Sequence, residues 1–220
     1  GSSASLFEDG SRLSGPGQIV RNATVEGLVG FDAEGRVVPA LADRWIVTED
    51  GMSYIFRLRD GTWPDGSAIT AQGARESLRA AIAGLRQTGL ALDLAEIAEI
   101  RAMAGRVIEI RLSTPTPNLL QLLAQPELGM TWKGRGTGPM RLERDGDVAL
   151  LRPIAPEARG LPAMAGWEER VRTVRLMALP AGQAVAVFNR GEADLLLGGR
   201  IEDFPLASAQ GLSRGTIQLD

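Results

Sequence analysis

The clearest alternation of apolar and polar positions lies in "SYIFRLR" (Ser53–Arg59). Tyr54, Phe56 and Leu58 fall on one side, and Ile55, Arg57 and Arg59 on the other. A period of two predicts a half-buried strand. Ile108, Ile110 and Leu112 alternate with Glu109 and Arg111 and predict a second. "MRLERDGDVALLR" (Met140–Arg152) reads as a strand, a tight Asp-Gly turn and a returning strand. "VRTVRLMAL" (Val171–Leu179) and a short piece at Trp45–Thr48 add further extended segments.

Helical spacing appears between these strands. Ala74, Leu78, Ala81, Ile82 and Leu85 form a single stripe, predicting a helix from an N-cap at Thr70 to about Arg86. Gly17–Leu28 is expected to be helical, with Ile19, Val20, Ala23 and Gly27 on one side and Pro16 near its start. Another helix is expected to begin at Asp93, with Glu96 in the capping-box position. "TPTPNLLQLLAQP" (Thr114–Pro126) predicts a short helix with Thr116 as cap and Pro117 first. Ala181 onward reads as a helix stopped at Gly191, with Val185 and Phe188 facing inward, then a short buried strand at Ala193–Leu197. "GLSRGTIQLD" (211–220) starts what reads as one more strand. "FDAEG", "EDG" and "DGTWPDG" are the turns. Strands and helices alternate irregularly, so the expected class is mixed α/β (α+β), not a strict βαβ array.

Composition narrows the chemistry. With 220 residues and 44% hydrophobic, the chain can bury a substantial core. Its net charge of -3 gives no sign of a nucleic-acid partner. It has no cysteine and no histidine, so thiolate zinc sites, cysteine nucleophiles and imidazole bases are excluded. No apolar run reaches the ~20 residues needed to span a bilayer. "GSSAS" at the start resembles a cloning remnant more than a signal peptide.

Four features invite a functional reading. "KGRGTGPMRLE" (Lys133–Glu143) has glycines at alternate positions beside basic residues. A phosphate loop needs a helix after its glycines, and here a hairpin follows, so the stretch reads as a flexible crossing between two units. Trp63, in "GTWPDG", reads as the pin of a turn. Glu168 with Glu169, and Glu192 with Asp194, read as solvated carboxylates, and no catalytic or metal-ligating set is assigned. Trp132 stands before the crossing, either in the core or on the wall of a cleft.

Together, these segments resemble the peptide/nickel-type (family 5) solute-binding proteins of ABC importers. The resemblance rests on Glu26, Gly27 and Leu28; Pro39, Leu41, Ala42 and Trp45; Asp50 and Gly51; Phe56, Leu58 and Arg59. It continues through Trp63, Asp65 and Gly66, then Thr70 and Ala71, the Gly-Thr-Gly-Pro run at Gly136–Pro139, and "FNRGEADLLLG". Val25 and Met140 stand where the family has tyrosine, and Gln72-Gly73 where it often has Glu-Asp.

The resemblance implies the first lobe of a type II periplasmic-binding-protein-like fold. Its main unit would comprise residues 1–37 and 136–220, with an inserted α+β subdomain at 38–135. The second lobe is expected to lie outside this chain. The implied function is non-enzymatic capture of a small-molecule or peptide solute between two lobes, for delivery to an ABC permease in the membrane. A monomer at an extracytoplasmic location follows, with no cofactor and with any signal peptide outside this sequence. The alternative is a sensor or interaction domain of a regulator that keeps the same fold. "SGPGQ" (Ser14–Gln18) would face the cleft and pair its extended backbone with a peptide. Ser14, Gly15, Gln18 and Trp132 are the expected ligand-binding residues.

Overall fold

The computed structural model describes residues 2–199. A 3-10 turn at Ser3–Phe7 leads to helix α1 (Gly15–Thr24). The helix starts two residues earlier than expected. Ser14 is its N-cap, accepting from the N–H of Gly17, and Pro16 fits the first turn, where its missing N–H costs nothing. It also stops earlier, because Val25 turns extended and frees Glu26 to bridge Met130.

Strands β1 (Val29–Phe31) and β2 (Val37–Pro39) form a small hairpin around the "FDAEG" turn. In that turn Asp32 accepts from the N–H groups of Glu34 and Arg36. Next come β3 (Ala42–Val47) and β4 (Ser53–Leu58), helices α2 (Ala71–Gly84) and α3 (Gly89–Asp93), and strands β5 (Ile97–Met103) and β6 (Val107–Leu112). These strands make an antiparallel sheet in the order β3-β4-β6-β5. Its inner face carries Tyr54, Phe56, Ile108, Ile110 and Ile100, packed against Ala74 and Leu78 of α2 and its C-cap Leu85. Leu119, Leu122 and Leu123 of helix α4 (Leu119–Leu123) and Leu128 close the same core. As expected, Thr70 caps α2, accepting from the N–H of Gly73.

Strands β7 (Met140–Asp145) and β8 (Val148–Pro153) form the expected hairpin, with Gly146 in the left-handed region at φ 59°. The short helix α5 (Trp167–Arg170) precedes β9 (Val174–Met177), which pairs antiparallel with β8. A second, smaller core joins this sheet to the N-terminal segment. Leu6 and Val20 pack with Ala149, Leu151 and Ala178. Helix α6 (Ala181–Asn189) follows; Val185 and Phe188 are half-buried there, and none of its residues is fully buried.

Three expectations are corrected. Asp93 closes α3 and does not open a helix, and Ile97–Met103 is a strand. The register shifts between Ile97 and Glu99, and this irregularity places Ile97 and Ile100, three residues apart, against the same core. Spacing of three imitates a helix in the sequence. Asn118, not Thr116, stands at the start of α4, where the Thr116 carbonyl accepts from the N–H of Leu119. Pro117 therefore lies before the helix. Finally, Ala193–Leu197 is not a strand, and Leu195 and Leu197 are exposed. The short apolar run there meets no neighbouring strand among the described residues. The strand expected within 211–220 lies outside the described residues.

Candidate functional site

The glycines of the crossing are explained by close approach. A Cβ on Gly136 would lie 2.6 Å from the carbonyl oxygen of Thr24, and one on Gly138 would lie 2.3 Å from the Thr24 carbonyl carbon. The N–H of Gly138 donates to the Thr24 carbonyl at 3.0 Å. On the other side, the N–H of Met130 donates to the Glu26 carbonyl at 2.9 Å. The exit from α1 thus runs in a slot between Gly129–Met130 and Gly136–Gly138. Between these walls the chain reverses at Lys133-Gly134, where φ is 49° and 75° and Trp132 and Arg135 exchange both backbone hydrogen bonds. Positive φ at both central residues is the mark of a type I′ turn.

That turn is clasped by another. The Trp132 ring stacks on Trp63, with centroids 6.1 Å apart and planes at 20°. The Lys133 Nζ meets Asp65 Oδ2 at 2.8 Å. Asp65 also accepts from the N–H and hydroxyl of Ser67. The Lys133 ammonium, first, and these Ser67 donors hold the Asp65 carboxyl far below the ordinary aspartate value. Trp63 is almost fully buried, whereas Trp132 is half-buried. The Trp132 Nε1 is covered and meets no acceptor among the described residues.

Behind the slot lies a buried ion triad. Glu26 Oε2 and Oε1 meet Arg59 Nη2 and Arg159 Nη2, each at 2.7 Å. Arg59 Nη1 donates to the Arg159 carbonyl at 2.6 Å, and Arg159 Nε donates to the Thr137 carbonyl at 3.1 Å. Burial lowers the Arg159 pKa from its usual value, while Glu26 opposes that shift. The triad ties the exit of α1, the end of β4, the crossing and the 3-10 turn Pro156–Arg159 to one another. Periodicity placed Arg59 on the polar side of its strand, yet its residue exposure is only 6%. A lone Arg at the end of a strand carries no signal for such a role. Arg159 was likewise not singled out by its sequence context.

The expected ligand-binding residues occupy two places. Ser14 donates through its N–H and hydroxyl to Glu8 Oε2, at 2.7 and 3.0 Å. Gly15 has open space where a Cβ would be. Gln18 Nε2 donates to Glu127 Oε1 at 2.9 Å. Gly15–Gln18 form the first turn of α1, so the extended backbone expected there for pairing with a peptide is absent. Helix formation wins because the Ser14 cap and Pro16 both favour it. The loop entering Ser14 packs at the C-terminal end of α2, where the Ser11 side chain sits against Gly84. Trp132 packs at the N-terminal end, against Gly73. These two glycines lie about 16 Å apart along the helix at 1.5 Å per residue. A cleft of about 490 Å³ opens beside the first place, lined by Ser11, Arg12, Leu13, Asp93, Gln125 and Glu127 among others.

The carboxylates considered for chemistry are dispersed. Glu192 is held by Arg190 at 2.6 Å, on the surface. Glu168 and Glu169 sit in the first turn of α5. Among the described residues, no group of three or more His, Cys, Asp or Glu side chains is placed to hold a metal ion.

Comparison with known proteins adds identity. Residues 36–144 match the family model described as bacterial extracellular solute-binding proteins, family 5 Middle. The nickel-binding periplasmic protein of Escherichia coli K12 is 35% identical over 114 residues, covering 50% of this chain and 22% of that protein. A probable deoxycholate-binding periplasmic protein of the same strain is 35% identical over 121 residues, 47% of this chain and 23% of that protein. The chain thus spans under a quarter of the length of these curated relatives. Among solved structures, the ABC transporter-associated periplasmic binding protein DppA of Helicobacter pylori, in complex with the peptide STSA, has a TM-score of 0.70. It is 17% identical, and the match covers 93% of this chain and 46% of that one. That likeness is one of fold: mixed α/β, shared with the type II periplasmic binding proteins. Residues 36–144 thus carry the middle segment of the bacterial extracellular solute-binding proteins of family 5, and the relatives and the fold agree with it.

Proposed function

We propose that the chain is part of the solute-binding component of an ABC importer, and that it forms the first of two lobes that close on a solute. The observation that carries this reading is the family match across residues 36–144, combined with a fold likeness reaching 93% of the chain. The role is binding, not catalysis, at an extracytoplasmic location, and the closed form would be what the membrane permease recognises.

Within the lobe we assign residues 1–37 and 136–220 to a main unit and 38–135 to an inserted one. The two hydrophobic cores support this division. Leu6, Val20, Ala149, Leu151 and Ala178 form one, while nearly all members of the larger core lie between Leu41 and Met130. Ser14, Gly15 and Gln18 are proposed to meet the solute at the rim of α1, and Trp132 beside the crossing. The relatives are described as binding nickel, deoxycholate and a peptide, and this breadth leaves the solute class open.

Binding free energy would come from both lobes, so the 220 residues alone are expected to bind solute weakly or not at all. Mass spectrometry of what co-purifies with the full-length protein identifies the solute, and calorimetry compares its affinity for both forms. Micromolar binding by the 220-residue chain alone would sink the two-lobe reading.

A further inference from the structure

A second cavity lies away from those residues. A groove of about 780 Å³ runs between α2 and β5. Strand β5 ends the sheet, since β6 is its one neighbour in the order β3-β4-β6-β5. Alternate N–H and C=O groups of an edge strand point outward and seek partners. Along the helix side of the groove stand Arg75, Arg79 and Arg86. Three arginines therefore stand over this side of the strand, in a chain whose net charge is -3, while Glu99 and Arg101 alternate with Ile100 and belong to its other face. Arg101 is paired with Glu99 at 2.9 Å. Arg79 and Arg86 are exposed and have no partner among the described residues. The floor is apolar, supplied by Ile82, Leu94 and Ile100.

We propose that this groove takes an extended acidic polypeptide segment, which adds to the sheet as a strand beside β5 with its carboxylates against Arg79 and Arg86. An open strand edge needs N–H and C=O partners in series, and a polypeptide backbone supplies them. Alternate side chains of the added strand, about 6.6 Å apart, point to the side where α2 lies. A second copy of this chain fits less well, because it would bring two arginine rows together. The Glu99–Arg101 pair on the exposed face guards the edge against neutral strands, as charges on edges commonly do. The inference does not depend on the solute-binding reading.

The test uses the 220-residue chain and two amide-capped nine-residue peptides, one alternating glutamate with threonine, the other lysine with threonine. The glutamate peptide is expected to slow amide exchange across Ile97–Met103, more weakly as salt is raised, and the lysine peptide is not. Replacing both Arg79→Glu and Arg86→Glu should weaken binding at least about tenfold, since like charges are then juxtaposed. Both positions are exposed, and circular dichroism checks that the fold is kept; the Arg79→Gln, Arg86→Gln pair is the milder version. Equal binding of both peptides, no binding at millimolar concentration, or protection confined to the start of α1 would overturn the proposal. So would a concentration-dependent dimer that protects β5 without peptide.

Discussion

At the scale of single residues, the crossing separates two reasons for glycine. Gly138 is required by contact, because any Cβ would strike the Thr24 backbone. Gly134 is required by conformation alone, with φ 75° and open space around it. Gly138→Ala should therefore cost about 3 kcal/mol, the upper range for forced overpacking. Gly134→Ala should cost about 1 kcal/mol, the penalty of a left-handed residue. Urea unfolding of the two variants measures the difference. The Asp65–Lys133 contact makes a pH prediction. The Asp65 carboxyl is depressed in the folded chain, so its contribution is fully present above the ordinary aspartate value of about 3.9. It is lost as pH falls through the lower folded value. Carboxyl NMR should find the Asp65 midpoint well below 3.9, and Lys133→Ala should move it upward. Donation from Ser67 would remain, so a complete return to the ordinary value is not expected.

At the scale of elements, legibility followed the simplicity of the pattern. Tyr54, Phe56 and Leu58 alternate without interruption, and β4 lies where they place it. Thr70 with the stripe from Ala74 to Leu85 located α2 and its cap. Asp-Gly before Val148 located the hairpin. The failures share one cause, which is that a neighbour decided the outcome. Strand β5 owes its place to β6 and its face to an irregular register near Ala98. Nothing local distinguishes Ile97 and Ile100 on such a strand from the same pair on a helix. The end of α1 is fixed by the bridge from Glu26 to Met130, more than a hundred residues away in sequence. Ser14–Gln18 illustrates the converse. Its local signals for a helix start, a cap and a proline in the first turn, were visible and outweighed the reading of an extended segment. The candidate site was legible only as residue names. That α2 separates Ser14 from Trp132 required the packing of both ends of that helix.

At the scale of the molecule, the buried triad holds the two cores in register. Side-chain exposures of 14% for Glu26, 7% for Arg59 and 13% for Arg159 mean that little solvent screens the group. Glu26→Ala would leave two arginines facing each other with no counter-charge. The expected loss is about 3–5 kcal/mol, the usual result of removing one partner from a buried ion pair. A shift in the urea midpoint, with unchanged slope, would establish it. Retention of wild-type stability would show that the triad is dispensable. The same residues also carry a consequence in time. Chains are made from the N-terminus and fold as segments emerge. Glu26 and Arg59 can meet early, but Arg159 arrives a hundred residues after Arg59. The sheet of β3 to β6 has all its strands by Leu112, whereas its attachment to the rest must wait. Until then a nascent chain carries a finished sheet on an unfinished base, with Glu26 paired to Arg59 through one oxygen and its other oxygen waiting for Arg159. The segment that brings Arg159 thus acts as a latch, and the order of synthesis decides when it closes.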